Sequence, residues 1–264
     1  RQTIQRTAGN LQNLCMTTAT TVQTQFVNAI NNAYMFTSTG VKSYTQAIID
    51  EIKNISSQGA VIQYPSGRKR SIESAIRTNV ITAVNQNMGQ LQETRANEVG
   101  WDLMEISAHS GARPSHMKWQ GKIVSLSGQK GYLSKADIGY GEATGFKGIN
   151  CRHSWYPYYK GTTRTYSQKQ LKEWEDEKVT YNGEKMTKYQ ATQKQRDFER
   201  KIRQDKKDLK AQQKLLTSTN NDLDIELVKS EIREIKATQK AHNEELNDFL
   251  DQTGLRKDYS RLVI

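Results

Sequence analysis

The sequence is poor in the residues that staple or anchor a chain. It has two cysteines in 264 residues, Cys15 and Cys151. They lie too far apart in sequence to outline a disulfide framework, and a reducing compartment fits. No stretch approaches the ~18 consecutive apolar residues of a membrane span. No secretory signal is visible, so no membrane partner is expected. The first residue is Arg1 rather than Met, which points to a processed or partial product. Acidic groups are also in deficit: 28 against 39 basic ones, a formal net charge of +11. The surplus is uneven, because residues 1–165 hold 18 basic and 9 acidic side chains while residues 166–264 hold 21 and 19. Such a surplus favours loose contact with a polyanion such as packaged DNA, or it serves solubility. No basic cluster is interleaved with aromatics in the manner of a dedicated nucleic-acid groove. The tightest one, Arg68-Lys69-Arg70, follows Pro65-Ser66-Gly67 and reads as a turn.

What is present falls into three textures. The chain is polar, with a mean hydropathy of −0.82, yet 35% of it is hydrophobic, which allows a core in places. Residues 1–100 read as helices. Leu11, Leu14, Thr18, Val22, Phe26, Ile30 and Tyr34 recur at helical spacing, as do Val41, Tyr44, Ile48, Ile52 and Ile55. Val61 to Tyr64 reads as extended. Ser71 is a good N-cap for a third helix, with an apolar face of Ile72, Ile76, Val80, Ala83 and Leu91, ending near Gly100. Residues 101–165 are rich in Gly, Trp and His, with short β candidates at 103–108, 122–126 and 151–158. The Gly-rich stretch between, about 127–150, is of a length that is usually functional or locally ordered. Residues 166–264 are rich in Lys, Glu and Gln and almost free of Gly and Pro. Two thin apolar stripes, Phe198 to Leu216 and Ile225 to Phe249, flank a polar turn at 217–222 and predict an antiparallel helical hairpin. The expected fold class is therefore α+β: N-terminal helices, a small Gly-rich β-containing central module and a helical hairpin arm.

The chemistry-bearing residues concentrate in 109–122 and 148–157. One reading is a metal site. Neutral imidazole and thiolate are zinc ligands. Cys151 and His153 are two apart, hence on one face of a strand. His109 and His116 bracket a turn that folds them back, which makes a Cys-His₃ set. The spacing matches no standard zinc motif. A second reading is catalytic, a nuclease or toxin-like enzyme in which His109, Arg113, His116 and Gln120 act on a phosphodiester, with His as acid and base and Arg113 holding the phosphate. No paired carboxylates lie in the segment. A third reading is structural: Arg113 and Arg152 fork onto backbone carbonyls or carboxylates, Trp119 and Trp155 fill the space between short strands, and Gln120 and Asn150 join the polar network. The structural reading is preferred. It calls for no cofactor, structural zinc being the exception that the first reading allows.

These same residues carry a resemblance. Val61-Ile62-Gln63-Tyr64-Pro65-Ser66-Gly67-Arg68, Ser107 to His116, Trp119-Gln120-Gly121-Lys122 and Gly148 to Pro157 are similar to the phage minor capsid protein 2 family. More distantly they resemble phage head-morphogenesis proteins that bind the portal. The resemblance implies a non-enzymatic virion protein of the phage head, assembled in the bacterial cytoplasm. Its implied partners are portal or major capsid protein; packaged DNA is an expected contact on the separate ground of the basic N-terminal region. It also implies that distant relatives carry cysteines around the positions of Arg113–His116 and Cys151–His153, so Arg113 and His153 stand where a thiolate pair would need Cys. No established catalytic residue comes with it.

Overall fold

The computed structural model describes residues 61–63 and 69–264, with six isolated positions before them. The two helices expected within residues 1–60 lie outside the described residues, as does Cys15. Strand β1, Val61–Gln63, pairs antiparallel with β2, Lys69–Ser71. Lys69 and Arg70 thus belong to a strand and not to the expected turn; residues 64–68 lie outside the described residues. Helix α1, Ile72–Glu98, starts directly after Ser71.

The chain divides into two compact units, whose described stretches are 76–192 in one and 61–63, 69–75 and 193–264 in the other. In the first, β3 (Leu103–Ile106) is the middle strand of a three-stranded antiparallel sheet between β4 (Ile123–Ser125) and β5 (Trp155–Pro157). Met104 faces Val124 on one side and Pro157 on the other. Burying both faces of β3 needs a partner for Glu105, whose carboxylate accepts hydrogen bonds from the Thr165 backbone N–H and hydroxyl, each at 3.2 Å. Met104, Ile106, Trp119, Val124, Ile138, Phe146, Cys151 and Trp155 form one buried core with Ala96 of α1. Short helix α2, Pro114–Met117, begins on its proline, whose missing N–H costs nothing there.

Helix α1 packs on this module through residues 85–96. Leu91 is exposed, and the side chains of Ile72, Ile76, Val80 and Ala83 lie outside those described. Gly89 and Ala96 are buried instead, and Asn85, Gln86, Gln92 and Glu93 beside them are tied to the module by hydrogen bonds. Among the described side chains of α1 the contact combines these polar bonds with Ala96, which joins the core.

After α3 (Gln168–Asp176), β6 (Lys178–Tyr181) and β7 (Glu184–Thr187) form a hairpin. Its loop is Asn182-Gly183, both with positive φ (49° and 80°), the two-residue turn whose twist matches antiparallel strands. The long helices therefore begin at Lys188 and not at 166. In the second unit, α4 (Lys188–Ser218) and α5 (Asp222–Thr253) bring their stripes together as expected. Phe198 lies against Phe249 with ring centroids 5.2 Å apart. Val228 and Ile232 bury themselves with Leu209, Leu215 and Leu216. Between these layers His242 Nδ1 lies 2.7 Å from Asp205 Oδ2. Asn221 caps α5 by accepting from Leu223 N–H, and Gly254 ends it in the left-handed conformation.

Candidate functional site: a buried imidazole and thiol cluster

Two segments of the first unit converge on one buried point. Residues 151–155 run extended into β5, so Cys151, His153 and Trp155 turn inward while Arg152 is exposed. Helix α2 delivers His116 from the other side. His116, Cys151 and His153 are each about 1% exposed. Their ligand atoms lie within 4.8 Å of one another. His116 Nδ1 is 3.2 Å from His153 Nδ1, and Cys151 Sγ is 3.8 Å from the same His153 atom.

Two oxygens hold the far sides of the rings. His116 Nε2 donates to the Thr144 carbonyl at 2.9 Å, and His153 Nε2 donates to Gln120 Oε1 at 3.1 Å. Gln120 is itself oriented by the His109 backbone N–H, which donates to the same Oε1 at 3.2 Å. Both rings are neutral at ordinary pH. Burial pushes His116 down to about 4, with Arg113 and His109 adding to the effect of burial and the Thr144 carbonyl opposing it. Burial pushes His153 down to about 2, with His109, His116, Arg113 and Lys147 acting in the same direction.

The Gly-rich stretch supplies Thr144 and is ordered by its own backbone. Phe146 N–H donates to Ile138 O at 2.9 Å, Gly141 N–H to Phe146 O at 2.8 Å, and Ile149 N–H to Ala143 O at 2.9 Å. Gly145 and Gly148 let the chain cross itself: a Cβ on either would stand 2.0 Å from a backbone oxygen, that of Gly139 or Glu142. Phe146 and Ile138 anchor the stretch in the core.

The remaining sequence candidates take different places. His109 is not in the converging set; its ring stacks on His153 with centroids 4.6 Å apart, and its Nδ1 lies 3.1 Å from Ser110 O. Arg113 donates to Ile149 O at 2.8 Å, joining the two candidate segments. Asn150 adopts φ 54°; its N–H donates to Thr82 Oγ1 and its side-chain amide to Thr78 Oγ1. Trp119 stands edge-on to both Phe146 and His153, and Trp155 packs against Phe146 and Tyr140. Two residues that the sequence reading missed support the cluster from behind. Asn85 of α1 donates to Cys151 O at 2.6 Å and accepts from Lys147 Nζ at 2.8 Å. The buried Lys147 lies across Gly89. The polar run at helical spacing in α1 is the signal that could have found them.

Comparisons with known proteins agree on a class. One relative is a protein called "Structural protein" of Lactococcus phage LL-H, 27% identical over 186 residues, which are 67% of this chain and 47% of that protein. Another, also called "Structural protein", of Lactococcus phage mv4, is 36% identical over 72 residues, 27% of this chain and 50% of that protein. The chain is thus similar to phage structural proteins, and it spans about half the length of these curated relatives. The family model of phage minor capsid protein 2 matches residues 1–251, and the chain belongs to that family. Membership implies a virion component. No solved structure matches. No helix among the described residues is long and apolar enough to cross a membrane.

Proposed function

We propose that this chain is a minor structural protein of the phage head that acts in head assembly, through contact with portal or shell. The family match over residues 1–251 is the observation that carries the reading. The geometry is in keeping with it. The cluster of the first unit is closed, its polar groups bonded inward to Thr144 and Gln120. The second unit contains a two-helix hairpin, α5 and α4 from residue 193 onward, whose outer faces are charged, a form suited to reaching a partner. Packaged DNA is a further proposed contact, through the basic surplus of residues 1–165.

The alternative, a virion-carried nuclease using His109, Arg113 and His116, is less well supported. A general acid or base must reach its substrate. His116 is buried with its Nε2 bonded to Thr144 O, and Arg113 is bonded to Ile149 O. The test is co-purification of the tagged full chain with the portal and shell proteins of its own phage. Retention by either supports the assembly role. Retention by neither, together with cleavage of DNA or RNA that is lost in His116→Ala, replaces it with the enzymatic one.

A further inference from the structure

The hydrogen bonds around His116 and His153 fix where their protons are. The Thr144 carbonyl can only accept, so His116 Nε2, at 2.9 Å, holds a proton. The Gln120 amide cannot be turned around, because its Oε1 receives the His109 backbone N–H; His153 Nε2, 3.1 Å from that oxygen, is therefore also a donor. A neutral imidazole has one N–H and one lone pair. Both rings have committed the N–H outward, so two Nδ1 lone pairs face each other at 3.2 Å beside the Cys151 sulfur. In a buried place such an arrangement is repulsive; the Cys151 thiol can meet only one of the two lone pairs, and weakly, whereas a cation among the three atoms meets both.

We propose that His116 Nδ1, His153 Nδ1 and Cys151 Sγ are the ligands of one zinc ion. Tetrahedral zinc, with nitrogen at about 2.0–2.1 Å and sulfur at about 2.3 Å, sets its ligand atoms about 3.3 Å (N···N) and about 3.6 Å (N···S) apart. Two of the three separations, both from His153 Nδ1, are 3.2 Å and 3.8 Å, and all three ligand atoms lie within 4.8 Å of one another. Zinc-bound histidines characteristically donate their other N–H to a carbonyl or carboxylate oxygen, and Thr144 O and Gln120 Oε1 are in those places. No carboxylate belongs to the set, which disfavours calcium and magnesium. Binding displaces the Cys151 thiol proton to solvent and forms one Zn–S and two Zn–N bonds. Water would complete four-coordination. The ion would tie α2 to the 151–153 segment, a structural rather than catalytic role. This inference stands apart from the assembly role, since a chain that never meets the portal can still bind zinc.

The test is elemental analysis of the full chain purified without chelator, then stripped and titrated with zinc. The expected result is about one zinc per chain, bound with sub-micromolar affinity, and a melting temperature that falls on stripping and recovers on zinc addition. Cobalt loading of the intact chain should give a thiolate-to-cobalt charge-transfer band, which Cys151→Ser abolishes and His116→Ala weakens. The band belongs to the parent chain, so the reading does not hang on variants that fold poorly. A stripped parent that takes up neither zinc nor cobalt overturns the proposal. So does a Cys151→Ser chain with the parent's stoichiometry and band.

Discussion

Gln120 Oε1 accepts at once from the backbone N–H of His109 and from His153 Nε2, at 3.2 Å and 3.1 Å, and so joins the two chemistry-bearing segments through one atom. Replacing it with an apolar side chain leaves two buried donors without an acceptor, at about 1–3 kcal/mol each. Gln120→Leu is expected to lower the midpoint of denaturant unfolding accordingly, and Gln120→Glu, which keeps an acceptor, to lower it less. Equal midpoints for Gln120→Leu and the parent would remove this atom from the account of stability.

Lys147 makes a prediction at alkaline pH. Burial lowers its ammonium to about 8, with Cys151 opposing the shift. The folded value lies below the unfolded 10.5, so between those limits the unfolded chain binds more protons. Stability should therefore rise as pH goes from about 8 toward about 10, and the penalty should be present in full below that window. Above about 10, Tyr140 works the other way, because burial and Glu93 raise its phenol and favour the unfolded chain's ionisation. Urea midpoints across pH 7 to 10 should climb in the parent and stay flatter in Lys147→Met.

At acid pH, Asp102 acts with the opposite sense. Burial alone would raise its carboxyl, but the Ser125 hydroxyl at 2.6 Å and the Ser127 N–H at 2.7 Å outweigh burial and hold it below 3.8. Its contribution is complete above the unfolded value and fades as pH falls through the folded one. Asp102→Asn should reduce stability at neutral pH and show a shallower acid decline. An acid decline as steep as the parent's would assign that limb to other carboxylates.

The crossing in the Gly-rich stretch predicts two grades of damage. Gly145→Ala puts a methyl 2.0 Å from Gly139 O, and the loop that carries Thr144 must move. A loss of about 3 kcal/mol or more is expected, as for an overpacked core. Gly128→Ala meets nothing within 4 Å and faces only its φ of +84°, a strain of about 1–2 kcal/mol. Thermal melts of the two variants should separate clearly.

Much of this was legible in advance because it follows from local periodicity. Ser71 marked the start of α1, the stripes ending at Leu216 and Phe249 gave the hairpin, and the alternation from Cys151 to Trp155 put Cys151 and His153 on one face. The Asn182-Gly183 turn was equally legible but was submerged in a Lys/Glu-rich stretch that read as helix. The buried face of α1 was hidden for a deeper reason. Amphipathic reasoning looks for apolar residues, whereas this helix docks through Asn85, Gln86, Gln92 and Glu93, whose partners are 47 to 66 residues away. His109 could not be separated from His116 by spacing either, since its place depends on where Gln120 stands.

A place in the head is tested most directly by quantitative mass spectrometry of purified, DNA-filled heads from the phage that encodes this chain, compared with heads made without its gene. A minor structural protein should be found in the particles at a small fraction of the shell protein's abundance, and its removal should lower the yield of filled heads. Particles that lack the chain, and that fill normally without its gene, would contradict the assignment.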